Sequence, residues 1–245
     1  MQRYLPFSAF LNRYFDGKIQ KITIDAGFSC PNRDGFISSG GCIYCNNRSF
    51  SPGFTAEKRD IARQMEEGKR FFMRKYPEMK YLAYFQSFTN TYAPVSRLKQ
   101  LYEEALDVDD VVGLVIGTRP DCVSDELLHY LAELRRRHFV MMEYGVESTD
   151  DAVLRRINRG HDYACAVEAV RRTAAAGLPV GIHLILGLPG ESADHVCRVA
   201  GEVSALPVDI VKLHQLQIIK GTPLAREYQE NPACVRLFTV DEYVD

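Results

Sequence analysis

The chain has 245 residues, of which 46% are apolar and 25% charged, with a net charge of −2 at neutral pH. That length supports one large α/β domain or two smaller ones, with a core that needs no disulfide or metal staples. The charge balance excludes a global basic footprint for nucleic acid. The longest apolar stretch, LPVGIHLILGLPG (178–190), is broken by a histidine, glycines and prolines, which excludes a membrane-spanning helix there.

The N-terminal stretch MQRYLPFSAFLNRYFDGK is aromatic but interrupted by Arg13 and Asp16, and it lacks a small-residue cleavage site. It reads as a helical extension over 1–20 and not as a signal peptide. Seven cysteines, an odd number, without an export signal point to reduced thiols and a cytoplasmic location. Strand-like runs follow at 21–29, 80–88, 111–118, 139–147, 180–187 and 209–219. Helical patterns lie between them at 55–76, 96–107, 124–138, 162–177 and 191–206. Thr55, Ser96, Ser124 and Ser192 are expected at N-caps or in first turns, and Gly177 just past a helix end. Six β-then-α units with largely apolar strands predict a parallel sheet covered by helices, as an open doubly wound sheet or a partial barrel. Near the end, Thr239 and Glu242 form a capping-box pattern announcing a helix of which about one turn is present. The expectation is a core over 21–225, with 226–245 opening a longer C-terminal segment that is cut short.

In such folds, polar residues at strand C-terminal ends mark a ligand site. QSFTN (86–90), TRPDC (118–122), EYGVES (143–148), LGLPGE (186–191) and QIIKGTP (217–223) stand there. The loop CPNRDGFISSGGCIYC (30–45) follows the first strand and so belongs to the same rim. Its Cys30, Cys42 and Cys45 suit a soft metal or an iron–sulfur cluster. Zinc requires a fourth ligand. Cys122, Cys165, Cys197 and Cys234 are scattered singly, so that ligand would be an isolated distant residue. A cluster of four irons held by three thiolates leaves one iron open.

The loop resembles the cluster loop of radical S-adenosylmethionine enzymes, through Cys42-Ile43-Tyr44-Cys45 and an upstream Cys30. The eleven residues between Cys30 and Cys42 are similar to the expanded spacer of the subgroup related to the Elongator catalytic subunit, and CPNRDG…GGCIYC is close to one bacterial branch of it. FQSFTNTYAP (85–94), IGTRPDC (116–122), EYGVES, INRGHD (157–162), HLILGLPGE (183–191) and IIKGTPLA (218–225) resemble the family's strand-end motifs in order. The resemblance implies a partial (β/α)6 TIM-like barrel. It also implies a [4Fe–4S] cluster on Cys30, Cys42 and Cys45, and S-adenosylmethionine chelated at the open iron. Reductive cleavage would then give a 5′-deoxyadenosyl radical that takes a hydrogen atom from the substrate. A flavodoxin- or ferredoxin-like electron donor and tRNA, modified at its wobble uridine, are the implied partners.

The same resemblance implies roles for single residues. Tyr44 either packs the loop onto the barrel or lies beside the adenine. Gln86, Ser87 and Thr89 stand where relatives place glycines against the methionyl amino group. Gly117 replaces a strand-end acid, leaving Thr118 and Arg119 as neighbouring substitutes. Glu147 faces the cofactor, Arg159 pairs with the methionyl carboxylate, His183 reaches the ribose, and Gly187 opens the GLPG turn (187–190) that admits the adenosyl group. Plainer alternatives exist. Glu147 could cap a helix, Arg159 could be a solvated surface charge, and Cys122, placed to donate a hydrogen atom or contact substrate, reads rather as a small buried hydrophobe. Arg135, Arg136 and Arg137 suit the negative end of a helix. Two competing functions are a non-catalytic zinc or iron–sulfur binding module on the same barrel, and a phosphate-binding enzyme. The second lacks a Walker loop or a GxGxxG after a strand.

Overall fold

A computed structural model describes residues 4–46, 49, 60–74, 78–192 and 194–244. Its frame is a single sheet in chain order, from β1 (Ile19–Ile24), β2 (Lys80–Phe85) and β3 (Val111–Thr118) to β4 (Phe139–Glu147), β5 (Val180–Leu186) and β6 (Ile210–Gln215). Every neighbouring pair is parallel. Six parallel strands with helical crossovers make the α/β half-barrel expected of a partial (β/α)6 fold. The crossovers are α2 (Ile61–Met73), α3 (Val95–Leu106), α4 (Asp125–Leu134), α5 (Asp151–Arg156), α6 (Tyr163–Ala175) and α7 (His195–Ser204). Helix α1 (Phe7–Leu11) precedes the sheet, and α8 (Pro223–Glu230) and α9 (Val240–Val244) follow it.

Alternation along the strands divides the core into two faces. Ile22, Ala83, Leu114, Met142, Ile182 and their neighbours pack under the crossover helices. Leu82, Tyr84, Val115, Phe139 and Met141 form a second cluster with Phe10 and Leu11 of α1. Helix α1 therefore plugs the concave side from below. Because both faces of the central strands are covered, β2 to β5 are nearly continuous apolar runs, whereas β6 leaves Val211 and Leu213 exposed.

Local signals fix the helix starts. Ser124 accepts a hydrogen bond from the Leu127 amide at 3.2 Å, Asp162 from Cys165 at 2.9 Å, and Thr222 from Ala225 at 3.1 Å. Such caps contribute about 1 kcal/mol each. Ser96 lies in the first turn of α3, whereas α7 is preceded by Asp194 and not by Ser192. The expected cap at Thr55 lies outside the described residues. The capping box is present: the Thr239 amide donates to Glu242 and the Glu242 amide to Thr239 Oγ1.

Three strands stop well before their apolar runs suggest: β6 ends at Gln215, and β1 and β2 end at turns. β1 ends at Ile24, where the Asp25 carboxylate accepts from the Gly27 amide and turns the chain. β2 ends at Phe85, three residues before Phe88 takes a left-handed φ of 66°. The chain leaves the sheet at both places, and those segments line the rim.

Candidate functional site

The cysteine loop lies on the C-terminal rim as a series of turns. The Cys30 carbonyl accepts from Arg33 N at 2.8 Å and Asp34 N at 3.1 Å, and the Cys42 carbonyl accepts from Cys45 N at 3.0 Å. Ile43 N donates to the Ile157 carbonyl at 3.0 Å, which ties the loop to the turn between α5 and α6. Cys42 is buried, while Cys30 and Cys45 are half-buried, and all three line one cavity of about 420 Å³. Burial pushes the Cys45 thiol up, against the opposing effect of Arg33. Among the described residues, no three His, Cys, Asp or Glu side chains converge on a single metal ion.

Three guanidinium groups line the same cavity, on Arg33, Arg119 and Arg159. Arg159 is 6% exposed, so the solvated-charge reading fails. Its Nη1 lies 3.7 Å from Cys42 Sγ, its Nη2 donates to the Gly145 carbonyl, and Nη2 is 3.6 Å from Glu147 Oε1. Burial would lower the pKa of Arg159, but Cys42 and Glu147 outweigh it and hold the cation firmly charged. Arg119 spends Nε and Nη2 on the carboxylate of Asp121, at 2.8 and 2.7 Å. Arg119 Nη1, Arg159 Nε and Thr89 Oγ1 are buried without hydrogen-bond partners. An unsatisfied buried donor costs about 1–3 kcal/mol. Two such donors on cations beside three thiols fit an anionic cluster with a ligand next to it that offers a carboxylate or other acceptor group.

The floor of the cavity is charged. Glu143, 3% exposed, is paired with Lys21 and accepts from His183 Nε2 at 3.0 Å. Burial would raise the Glu143 pKa, but His183 and Lys21 hold it well below the carboxylate range. Burial in turn lowers the Lys21 pKa, partly offset by Glu143. His214, whose ring centroid is 5.2 Å from that of His183, is pulled down to about 4 by burial, then by His183 and Lys212.

The cavity brings together nearly every residue singled out in the sequence: Cys30, Cys42, Cys45, Tyr44, Gln86, Ser87, Thr89, Thr118, Glu147, Arg159 and His183. Gln86 Oε1 accepts from Thr23 at 3.2 Å, and Thr118 Oγ1 is 2.6 Å from Thr91 Oγ1. Tyr44 both lines the cavity and packs against the apolar cluster of Val153, Leu154 and Ile157. Glu147 is no helix cap. It has a left-handed φ of 70° beside a register shift in β4, and Asp150 caps α5 instead. At Gly145 a Cβ would sit 2.6 Å from Glu147 Oε1 and 2.8 Å from Arg159 Nη2, so any larger residue displaces the ends of these two side chains. His183 turns one nitrogen to Glu143. Gly187 stands outside the cavity lining; its turn packs against Arg236 and Phe238, and its amide donates to Glu191 at 2.8 Å. Lys21, Glu143, His214, Asn32 and Arg33 were not singled out. A charge inside an otherwise apolar strand, as at Glu143 in FVMMEYGVE, is the signal that marks the first two.

Residues 34–203 match the model of the radical SAM superfamily. The chain is 38% identical over 243 residues to the uncharacterized protein YtqA of Bacillus subtilis, covering 99% of this chain and 75% of that one. It is 30% identical over 130 residues to the tRNA uridine(34) acetyltransferase of Methanocaldococcus infernus, which is 50% of this chain and 24% of that protein. Among solved structures, Elp3 of Methanocaldococcus infernus aligns with a TM-score of 0.66 at 18% identity, over 91% of this chain. That likeness is one of fold, and this chain spans 51% of the Elp3 chain.

Proposed function

The chain belongs to the radical S-adenosylmethionine superfamily, and from that premise we propose a function. It holds a [4Fe–4S] cluster on Cys30, Cys42 and Cys45, with S-adenosylmethionine beside it, and uses them to abstract hydrogen from a nucleoside in tRNA. When bound, the pair supplies one-electron cleavage and hydrogen-atom transfer; the protein supplies orientation and exclusion of water. The observation that carries the reading is the single cavity lined by three thiols and by arginines with unpartnered buried donors.

The side chains divide the work. Arg159 spends Nη1 on the Cys42 sulfur and Nη2 on the Gly145 carbonyl, so its unpartnered Nε is the donor left for a carboxylate while its charge offsets thiolate. Arg119 Nη1 and Thr89 Oγ1 offer further hydrogen bonds to an acceptor-rich ligand. Glu147, paired with Arg159, would suit an ammonium group, and the other ring nitrogen of His183, whose Nε2 bonds Glu143, would suit a hydroxyl. The electron donor is a flavodoxin- or ferredoxin-like protein in the cytoplasm. Partial similarity to a protein named for action on tRNA uridine supports tRNA as the substrate class.

Anaerobic reconstitution tests the centre. About four irons and four sulfides per chain, lost in Cys42→Ala, are expected. Stoichiometric zinc without sulfide contradicts the reading in favour of a binding module. For the substrate, salt-sensitive tRNA binding is expected, and tRNA binding absent at low salt removes direct recognition.

A further inference from the structure

The eleven residues between Cys30 and Cys42 do more than connect two ligands. Asn32, two positions after Cys30, is fully buried. Its Nδ2 lies 3.6 Å from Cys42 Sγ and also donates to the Asn158 carbonyl. Its Oδ1 accepts from Ser38 Oγ at 3.0 Å. Across the interface, Asn158 Nδ2 donates back to Ser38 Oγ at 3.1 Å and to the Gly41 carbonyl at 2.9 Å. The spacer and the 157–160 turn are thus clasped from both sides. Gly160, with φ +83°, completes the fit, because a Cβ there would lie 2.8 Å from Asn32 Oδ1. The same turn carries Arg159, whose Nη1 approaches the same sulfur at 3.7 Å. Cys42 therefore receives two N–H groups from opposite sides of the clasp, one neutral and one cationic, in a buried setting.

We propose that Asn32 and Arg159 are positioning residues that set the reduction potential of the cluster by donating N–H···S bonds to Cys42. This rests on the reading of the three cysteines as cluster ligands. Reduction adds one negative charge to the cluster, and part of it falls on the thiolate sulfurs. A hydrogen bond to sulfur is stronger when that sulfur is more negative, so each donor favours the reduced form and raises the potential. Burial strengthens the effect, since neither donor competes with water. On this account the length of the spacer serves to bring Asn32 back over Cys42.

The test is a redox titration of the reconstituted protein, followed by electron paramagnetic resonance without S-adenosylmethionine. Asn32→Ala should hold about tenfold less reduced relative to oxidised cluster at the wild-type midpoint, a shift of about 59 mV to more negative potential. Asn32→Asp, which sets a carboxylate against the sulfur, should move further in the same direction. Arg159→Lys keeps a charge but loses the fork and should also move negative. Asn158→Gly is the control: it tolerates the left-handed φ of 56°, loses the side-chain clasp, and leaves both donors in place. Its potential should match wild type. Unmoved potentials in Asn32→Ala and Arg159→Lys overturn the proposal. So does an Asn158→Gly shift as large as that of Asn32→Ala, which would assign the effect to loop order. Loss of iron from all the Asn32 and Arg159 variants also overturns it, because the role would then be holding and not tuning. A wild-type chain that takes up no cluster would instead defeat the reading of the cysteines.

Discussion

Replacing Glu143 by Gln removes a charge from the cavity floor while keeping the shape of the side chain. Glu143 is 3% exposed and is ion-paired with Lys21, whose side chain is 21% exposed. Breaking a buried pair costs about 3–5 kcal/mol, because the remaining charge is stranded. Here the cost is reduced. Lys21 keeps some solvent and lies 4.2 Å from the Phe7 ring and 4.6 Å from the Tyr84 ring, and Gln can still accept from His183. The expected loss is about 2–3 kcal/mol at pH 7. The pH dependence has a defined sign. The Glu143 carboxyl sits below its ordinary value of 4.5, so its contribution is complete above that pH and lost as pH falls further. The gap between wild type and Glu143→Gln should therefore be full at pH 7 and narrow below about pH 4.5. Adding Lys21→Met should recover most of the loss, since no lone charge remains. Urea denaturation of the four proteins at several pH values reads all of this. A loss under about 1 kcal/mol at pH 7, or a double variant as unstable as the sum of the singles, refutes the argument.

Two further outcomes follow from the upper cavity. Gly145→Ala pushes a methyl group into Glu147 and Arg159; it should lower S-adenosylmethionine affinity at least about tenfold by calorimetry with the far-ultraviolet dichroism unchanged. Arg159→Gln should weaken S-adenosylmethionine binding by about 10- to 100-fold, the worth of a charge-assisted hydrogen bond. Binding of 5′-methylthioadenosine, which has no carboxylate, should stay the same. Equal losses for both ligands would show that Arg159 shapes the cavity without reading the carboxylate.

Much of the architecture was legible because its signals are local and repeated. Six apolar runs separated by amphipathic helices specify a parallel sheet, and the order of strand-end motifs specifies the rim. Strand ends were less legible: a side-chain turn at Asp25 and left-handed backbone at Phe88 stop strands that hydrophobicity alone would extend. The six-residue α5 was invisible to periodicity, yet it sets the turn that carries Arg159. The pairing in the charged floor could not be read: Lys21 and Glu143 each stand out as a charge within a strand, but they are 122 positions apart and meet only in the folded sheet. Asn32 had no distinguishing pattern in sequence. Its meaning comes from the 3.6 Å approach to Cys42.

Under the proposed function, this cavity performs reductive cleavage of S-adenosylmethionine. The most direct measurement is 5′-deoxyadenosine formed after anaerobic reconstitution and reduction, compared between wild type and Cys42→Ala. The account predicts product from the wild type and none from the variant. A loaded, reduced cluster that binds S-adenosylmethionine but yields no 5′-deoxyadenosine would contradict it.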